Sequence, residues 1–264
     1  MKERFMKRLF AVLLAVGMMV SCFAMASALE LSDLIPTGSN LPSSSTEEST
    51  TAKAEETASS NREKARDAIK DIFIPSAPDQ VVEAFGIADE NYTKDHEYCF
   101  AVNTSQNIVI AYQQDEEGVF SKPVKAFICS CGKAESPTKE GIFRTSDTYR
   151  WRALNGGVYG QFATRITGHY LFHSVPYEKQ DPSTLETAEY NKLGQNASAG
   201  CVRLAAHDAK WIMNRCPKGT IVYIYDGSDV REPLARPTAV KLNPNDPRSC
   251  WDPTDPSADN PWKA

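Results

Sequence analysis

Histidine is scarce in this sequence, with four in 264 residues, and no group of histidine, cysteine and carboxylate side chains falls at a metal-ligand spacing. No metal and no cofactor is therefore implied. An excess of positive charge is missing too. The formal net charge is −5, and Met1 to Arg8 carry four of the basic residues against one acid, so the chain without its first 28 residues stands at −8. Such an acidic chain is a poor candidate for binding nucleic acid. Apolar runs are also few. The conspicuous one, Leu9 to Met25, follows the basic start and leads into Ala26-Ser27-Ala28, a small-residue cleavage site. Basic start, apolar middle and A-x-A end read as a secretory signal peptide over residues 1–28, and hence as a secreted, extracytoplasmic protein. The same run sits near the ~17 residues a spanning helix needs, so a retained membrane anchor is the alternative; Met19-Val20-Ser21-Cys22 leaves lipidation as a lesser one. Once the signal is removed, no stable membrane span is expected.

Residues 29–60 have almost no aromatic or β-branched apolar side chains and are dominated by Ser, Thr, Glu and Ala. They cannot bury enough surface to offset the entropy of ordering, and read as a disordered linker. Residues 61–95 read as a helical preface. Ala65, Ala68, Ile69 and Ile72 recur at helical spacing, and a second helix is expected from Gln80 to Phe85, opened by Ser76-Ala77-Pro78-Asp79 and closed by Gly86.

From Glu97 the period becomes that of strands. Tyr98 to Val102, Asn107 to Tyr112 and Val124 to Cys129 are β-rich, a loop over Lys133 to Gly141 feeds a strand at Ile142 to Thr145, and Thr220 to Tyr225 closes the set. Gly168 to Pro176 alternates as a strand, placing Tyr170 and Phe172 on one face and His169, Leu171 and His173 on the other. Glu178 to Asn196 reads as a loop beside the cleft. Ala205, Ala209, Ile212 and Cys216 recur at helical spacing, with Asp208 as a cap or dipole partner at the helix start. The fold class is mostly β (α+β), with the strand-rich domain at residues 96–227 and a Pro-rich tail at 228–264 whose Trp251 and Trp262 are expected to dock on it. Seven cysteines less Cys22 and Cys201 leave five. Cys129 and Cys131 are expected on opposite strand faces and so not to bridge each other, and no pairing is assigned to Cys99 or Cys250.

Chemistry concentrates in Ser198-Ala199-Gly200-Cys201-Val202-Arg203-Leu204. Cys201 follows a glycine, whose missing side chain lets backbone N–H groups approach a reacting carbonyl. A thiol attacks as thiolate, which calls for a depressed pKa and a nearby base or imidazolium. His173 supplies that base at the end of its strand. A lone cysteine or histidine is more often structural, but the joint order outweighs those separate readings.

His173-Ser174-Val175-Pro176 followed by the Ser198 to Leu204 stretch resembles the active site of the L,D-transpeptidase (YkuD) family of bacterial cell-wall enzymes, over about residues 96–227. The resemblance implies a β-sandwich catalytic domain with a short helix after the nucleophile. It implies Cys201 as nucleophile, His173 as base and the Ser174 carbonyl as its orienting group. Ala199, Gly200 and Cys201 N–H groups would form the oxyanion hole, and Arg203, Ser198 and Tyr159 would contact substrate or support the site. Two departures stand out: Ala199 replaces a histidine common in the family, and the step from His173 to Cys201 is longer than usual. The implied activity is peptidoglycan 3→3 cross-linking with release of D-alanine, by a monomer acting on stem peptides in the cell wall, important for wall organisation and cell shape and inhibited by carbapenems. L,D-carboxypeptidase action or a non-catalytic envelope-binding module are the alternatives. A sortase would place its arginine farther from the cysteine, and a papain-like hydrolase would place cysteine before histidine.

Overall fold

A computed structural model describes residues 76–263. The expected signal segment, the linker and the helix over 61–73 lie outside the described residues. Two sheets carry the domain. The first has five strands, β1 (Cys99–Asn103), β2 (Ile108–Gln114), β3 (Phe120–Ile128), β4 (Gly141–Arg144) and β9 (Ile221–Tyr225), in the order β3-β2-β1-β9-β4. The second has four, β5 (Thr148–Ala153), β6 (Tyr159–Thr167), β7 (Tyr170–Ser174) and β8 (Val202–Leu204), in that order. Pairing is antiparallel except at β1·β9 and β7·β8. The mostly β class read from the sequence is the class observed.

β1 is buried along its whole length, because the five-stranded sheet is covered on both faces. One face meets the second sheet: Phe100, Val102, Val109 and Phe127 pack with Phe172, Val202 and Leu204. The other face meets two short helices, α1 (Asp79–Phe85) and α2 (Glu90–Asp95), through Val81, Phe85 and Tyr92. A strand buried on both faces reads as a continuous apolar run, as Cys-Phe-Ala-Val does here. β3 begins four residues before the expected Val124, running through Pro123. The sheet edge tolerates a residue without an N–H, and Pro123 sits beside a register irregularity.

A ten-residue helix, α4 (Ala206–Arg215), follows β8 and buries Ala209 and Ile212 against the inter-sheet core. The expected helix is present, but the three-residue strand β8 separates it from Cys201. Cys216 closes α4 in the core, as its spacing implied. Asp208 lies in the first turn of α4 without capping it. That role falls to the tail: Asp252 Oδ2 accepts from Ala206 N–H at 2.7 Å, and Thr254 Oγ1 accepts from His207 N–H at 3.1 Å. Asp208 pairs instead with Lys125 at 3.5 Å.

The tail packs on the domain rather than hanging free. Leu242 exchanges two hydrogen bonds with Asn191, Trp262 packs against the cluster around Tyr177, Tyr190 and Leu193, and Asp252 and Asp255 are fully buried. Among the described residues no helix is long and apolar enough to cross a membrane.

Candidate active site

The Ser198 to Cys201 turn is held from below by the chain leaving β3. The Cys131 carbonyl accepts from the N–H groups of both Ala197 and Ser198, at 2.9 and 3.0 Å, and Ser130 exchanges two backbone hydrogen bonds of 2.9 Å with Arg203. Asn107, at φ 51°, locks that segment in turn, its Oδ1 accepting from Cys131 N–H at 2.9 Å. Here the expectation that Cys129 and Cys131 face opposite ways fails: their sulfurs lie 3.8 Å apart, though unbridged. Residues i and i+2 of an extended chain share a face, so the alternation places both thiols together. Both are free, as are Cys99, Cys201, Cys216 and Cys250.

Within the turn, Ser198 Oγ donates to the Cys201 carbonyl at 2.6 Å and accepts from Gly200 N–H at 3.0 Å. The Gly200 N–H is thus committed inside the turn. Those of Ala199 and Cys201 have no acceptor among the described residues. Gly200 adopts φ 112°, and a Cβ there would lie 2.9 Å from the Tyr170 ring, so both backbone and space require glycine. The Cys201 thiol donates to the His169 carbonyl at 3.4 Å.

His173 is held on two sides. Its Nδ1 lies 2.5 Å from the Ser174 carbonyl; since a carbonyl only accepts, Nδ1 carries the proton and Nε2 is left as a base. Ser174 is itself fixed, its Oγ accepting from Gln161 N–H at 2.8 Å and donating to the Val175 carbonyl at 2.9 Å. On the other side lies Gly160, where a Cβ would come within 2.7 Å of His173 Nδ1. Gln161 is anchored in turn by Asp255, which accepts from its Nε2 at 2.7 Å. The tail therefore reaches the histidine through two intermediates.

The electrostatics depart from the expected thiolate. Burial pushes the Cys201 thiol above its ordinary value, against the opposing pull of a Leu171 N–H and of the Arg203 and Arg165 charges. Burial also pushes His173 down to about 4, with its Ser174 contact opposing and Arg203 reinforcing the shift. At neutral pH the pair rests as thiol and neutral imidazole.

Both residues open on one cleft of about 450 Å³. His173, Ser198, Ala199, Cys201 and Arg203 line it together, with His169 and Leu171. Tyr159 does not line it; it begins β6 and bridges to Tyr177. Tyr170 leaves the face expected of it and turns its ring over Gly200, next to a register irregularity in the β6·β7 pairing. Arg203 lines the cleft but its guanidinium is held by Glu189 at 2.5 Å. Glu189 comes from α3 (Thr187–Tyr190), a single turn inside the segment expected to be a loop. Glu189, Gly160 and Gln161 were not singled out by the sequence, although a glycine inside a strand signals close backbone approach.

Residues 97–224 match the family model described as the L,D-transpeptidase catalytic domain, YkuD. The protein YciB of Bacillus subtilis (strain 168), named as a candidate L,D-transpeptidase, is 49% identical over 57 residues, which cover 22% of this chain and 28% of YciB. The chain thus spans less than a third of the curated relative that it matches. Two solved structures are similar. A fused Zn-dependent amidase/peptidase and peptidoglycan-binding protein from Clostridium acetobutylicum ATCC 824 is 26% identical, with a TM-score of 0.38 and coverage of 58% of this chain and 65% of the other. An L,D-transpeptidase from Mycobacterium smegmatis is 17% identical, with a TM-score of 0.40 and coverage of 49% and 58%. Residues 97–224 thus belong to the L,D-transpeptidase (YkuD) family as a catalytic domain, and within them Cys201 and His173 open on one cleft.

Proposed function

We propose that the chain is a peptidoglycan L,D-transpeptidase that forms 3→3 cross-links by acyl transfer through Cys201. The observation that carries this reading is the opening of Cys201 and His173 on one cleft, with the His173 Nδ1 proton committed to Ser174. A neutral base with a free Nε2 fits a thiol that is not ionised at rest.

A tetrapeptide stem binds with its third residue, a diamino acid, at Cys201. His173 Nε2 takes the thiol proton as sulfur adds to that residue's carbonyl carbon. The resulting oxyanion is met by the N–H groups of Ala199 and Cys201. Gly200, tied to Ser198, keeps the turn in shape. The C–N bond then breaks, and the imidazolium gives its proton to the departing D-alanine amine. A thioester remains. The side-chain amine of a second stem attacks it, His173 takes that amine's proton, and the thiol leaves with a proton from the imidazolium. Water in place of the amine gives an L,D-carboxypeptidase. Substrate of this kind lies outside the cytoplasm, in agreement with the signal peptide read at residues 1–28, and carbapenem inhibition would follow from acylation of the same sulfur.

The test is mass spectrometry of the protein incubated with a disaccharide-tetrapeptide, with Cys201→Ala in parallel. A dimer formed by the wild type and absent from the mutant supports transpeptidation; tripeptide and free D-alanine without dimer would assign carboxypeptidase action instead. No turnover and no thioester adduct by the wild type would overturn the enzyme reading and favour an envelope-binding module. His173→Ala should fold and acylate roughly 10²–10⁴-fold more slowly, the usual contribution of a positioned proton-transfer group; acylation at the wild-type rate would remove His173 from the mechanism.

A further inference from the structure

The cleft wall carries three arginines, Arg152, Arg165 and Arg203, and no aspartate or glutamate. Two of them already face a carboxylate: Arg203 meets Glu189 at 2.5 Å and Arg165 meets Asp147 at 3.3 Å. Arg152 has no carboxylate partner among the described residues. It is exposed, and its guanidinium rests on the Tyr149 ring, 4.9 Å from the centroid. The same Tyr149 accepts through its hydroxyl from Arg165 at 2.9 Å, so one aromatic ring organises two cations along the cleft.

Strand register fixes where Arg152 stands. It pairs directly with Gly160 in the antiparallel β5·β6 ladder, and directly opposed residues project to the same face with Cβ positions about 5 Å apart. The vacant side-chain direction of Gly160 points at the His173 ring. The Arg152 side chain therefore leaves the sheet on the face against which His173 packs, and it lines the cleft that Cys201 and His173 share.

We propose that Arg152 forms a carboxylate subsite for the leaving residue of the donor peptide. This inference rests on the transpeptidase reading above for the identity of that residue: its amine is protonated at His173, and its terminal carboxylate lies two bonds farther on. Arg152 meets that carboxylate through a charge-assisted hydrogen bond, while Arg165 and Arg203, tied to their own acids, shape the field around it. The site thus selects a donor ending in a free carboxylate.

The experiment compares acylation of Cys201, read by intact mass, with a tetrapeptide stem and with its C-terminal amide, in the wild type and in Arg152→Gln. In parallel, alkylation of Cys201 by iodoacetate and by neutral iodoacetamide is followed by peptide mapping. The wild type should prefer the acid by about 10- to 100-fold, the scale of a hydrogen bond to a charged group. Arg152→Gln should bring that ratio close to one and lower the iodoacetate-to-iodoacetamide ratio; Arg152→Lys should recover part of both. Equal acylation of acid and amide by the wild type would overturn the inference while leaving the transpeptidase reading in place. If neither stem acylates but the alkylation ratio still falls in Arg152→Gln, the carboxylate subsite stands and the transpeptidase reading fails. No acylation together with an unchanged alkylation ratio overturns both.

Discussion

At the scale of single residues, His173 has the more unusual environment of the proposed catalytic pair. Its imidazole is pushed down to about 4 by burial, so the neutral form needed for proton abstraction persists well below the ordinary histidine value near 6.5. The acid limb of Cys201 acylation should accordingly fall near pH 4, and acylation rates measured from pH 3.5 to 8 would show it; a limb at 6.5 would place the base in a more solvated setting. Gly160→Ala makes a second prediction. A methyl group 2.7 Å from Nδ1 must displace the ring or the strand, costing about 1–3 kcal/mol of stability as an overpacked site and slowing acylation at least tenfold. Chemical denaturation and acylation kinetics together check it, and unchanged values in both would show that the ring yields freely. That Cys201 and His173 would share a cleft was legible in the sequence because a thiol and an imidazole are themselves the groups that draw attention. Gly160 acts by having no side chain, and only the structure shows what its absence accommodates. The thiol's upward shift was illegible for a similar reason, since burial belongs to the surroundings and not to the residue type.

At the scale of elements, α4 has its first turn completed from outside. Asp252 is fully buried, accepts from Ala206 N–H and from Thr254, and is pushed up to about 6 by burial against those opposing hydrogen bonds. The folded state holds its proton more tightly than the unfolded chain does, so its contribution is present below about 4 and lost as pH rises through 6. His173 has the opposite sign. Its contribution is present above about 6.5 and lost as pH falls toward 4. Each effect is on the order of 3 kcal/mol, and the two oppose over pH 4–6. Wild-type urea midpoints should vary little there. His173→Gln should leave midpoints that fall as pH rises, and Asp252→Asn midpoints that rise with pH, the latter starting about 1 kcal/mol below the wild type near pH 4 for the weakened cap. Parallel pH profiles for all three proteins would contradict this account. The helix itself was readable from its apolar spacing, and most strands from their composition. The cap was not, because local spacing pointed to Asp208 while the acceptor comes from a segment 46 positions away. Short β8 escaped for lack of length, being defined by its partners Phe172, His173 and Ser174 rather than by any pattern of its own.

At the scale of the whole molecule, the family-matched segment ends at residue 224, yet buried groups continue well past it. Tail residues satisfy α4, anchor Gln161 and cover Tyr177, Tyr190 and Leu193. Truncation after Asp226 should therefore lose near-UV circular dichroism and bind a hydrophobic dye, as expected when a fixed core is opened; a truncated chain with the wild-type spectrum would show the tail to be dispensable. Proline content marked this segment as irregular, and its tryptophans as docking groups, but which surface they meet depends on contacts that no local pattern encodes.

The parallel pairing of β1 with β9 carries a temporal consequence. Phe100 finds its partner only at Val222, and Asp255 must arrive later still to fix the strand that orients the histidine. Contacts of such long sequence separation form slowly, since the entropy of closing the chain is lost before they contribute. Until residues as far as Asp255 have folded in, Cys201 and His173 thus lie in an unassembled cleft, and the two come together late in folding.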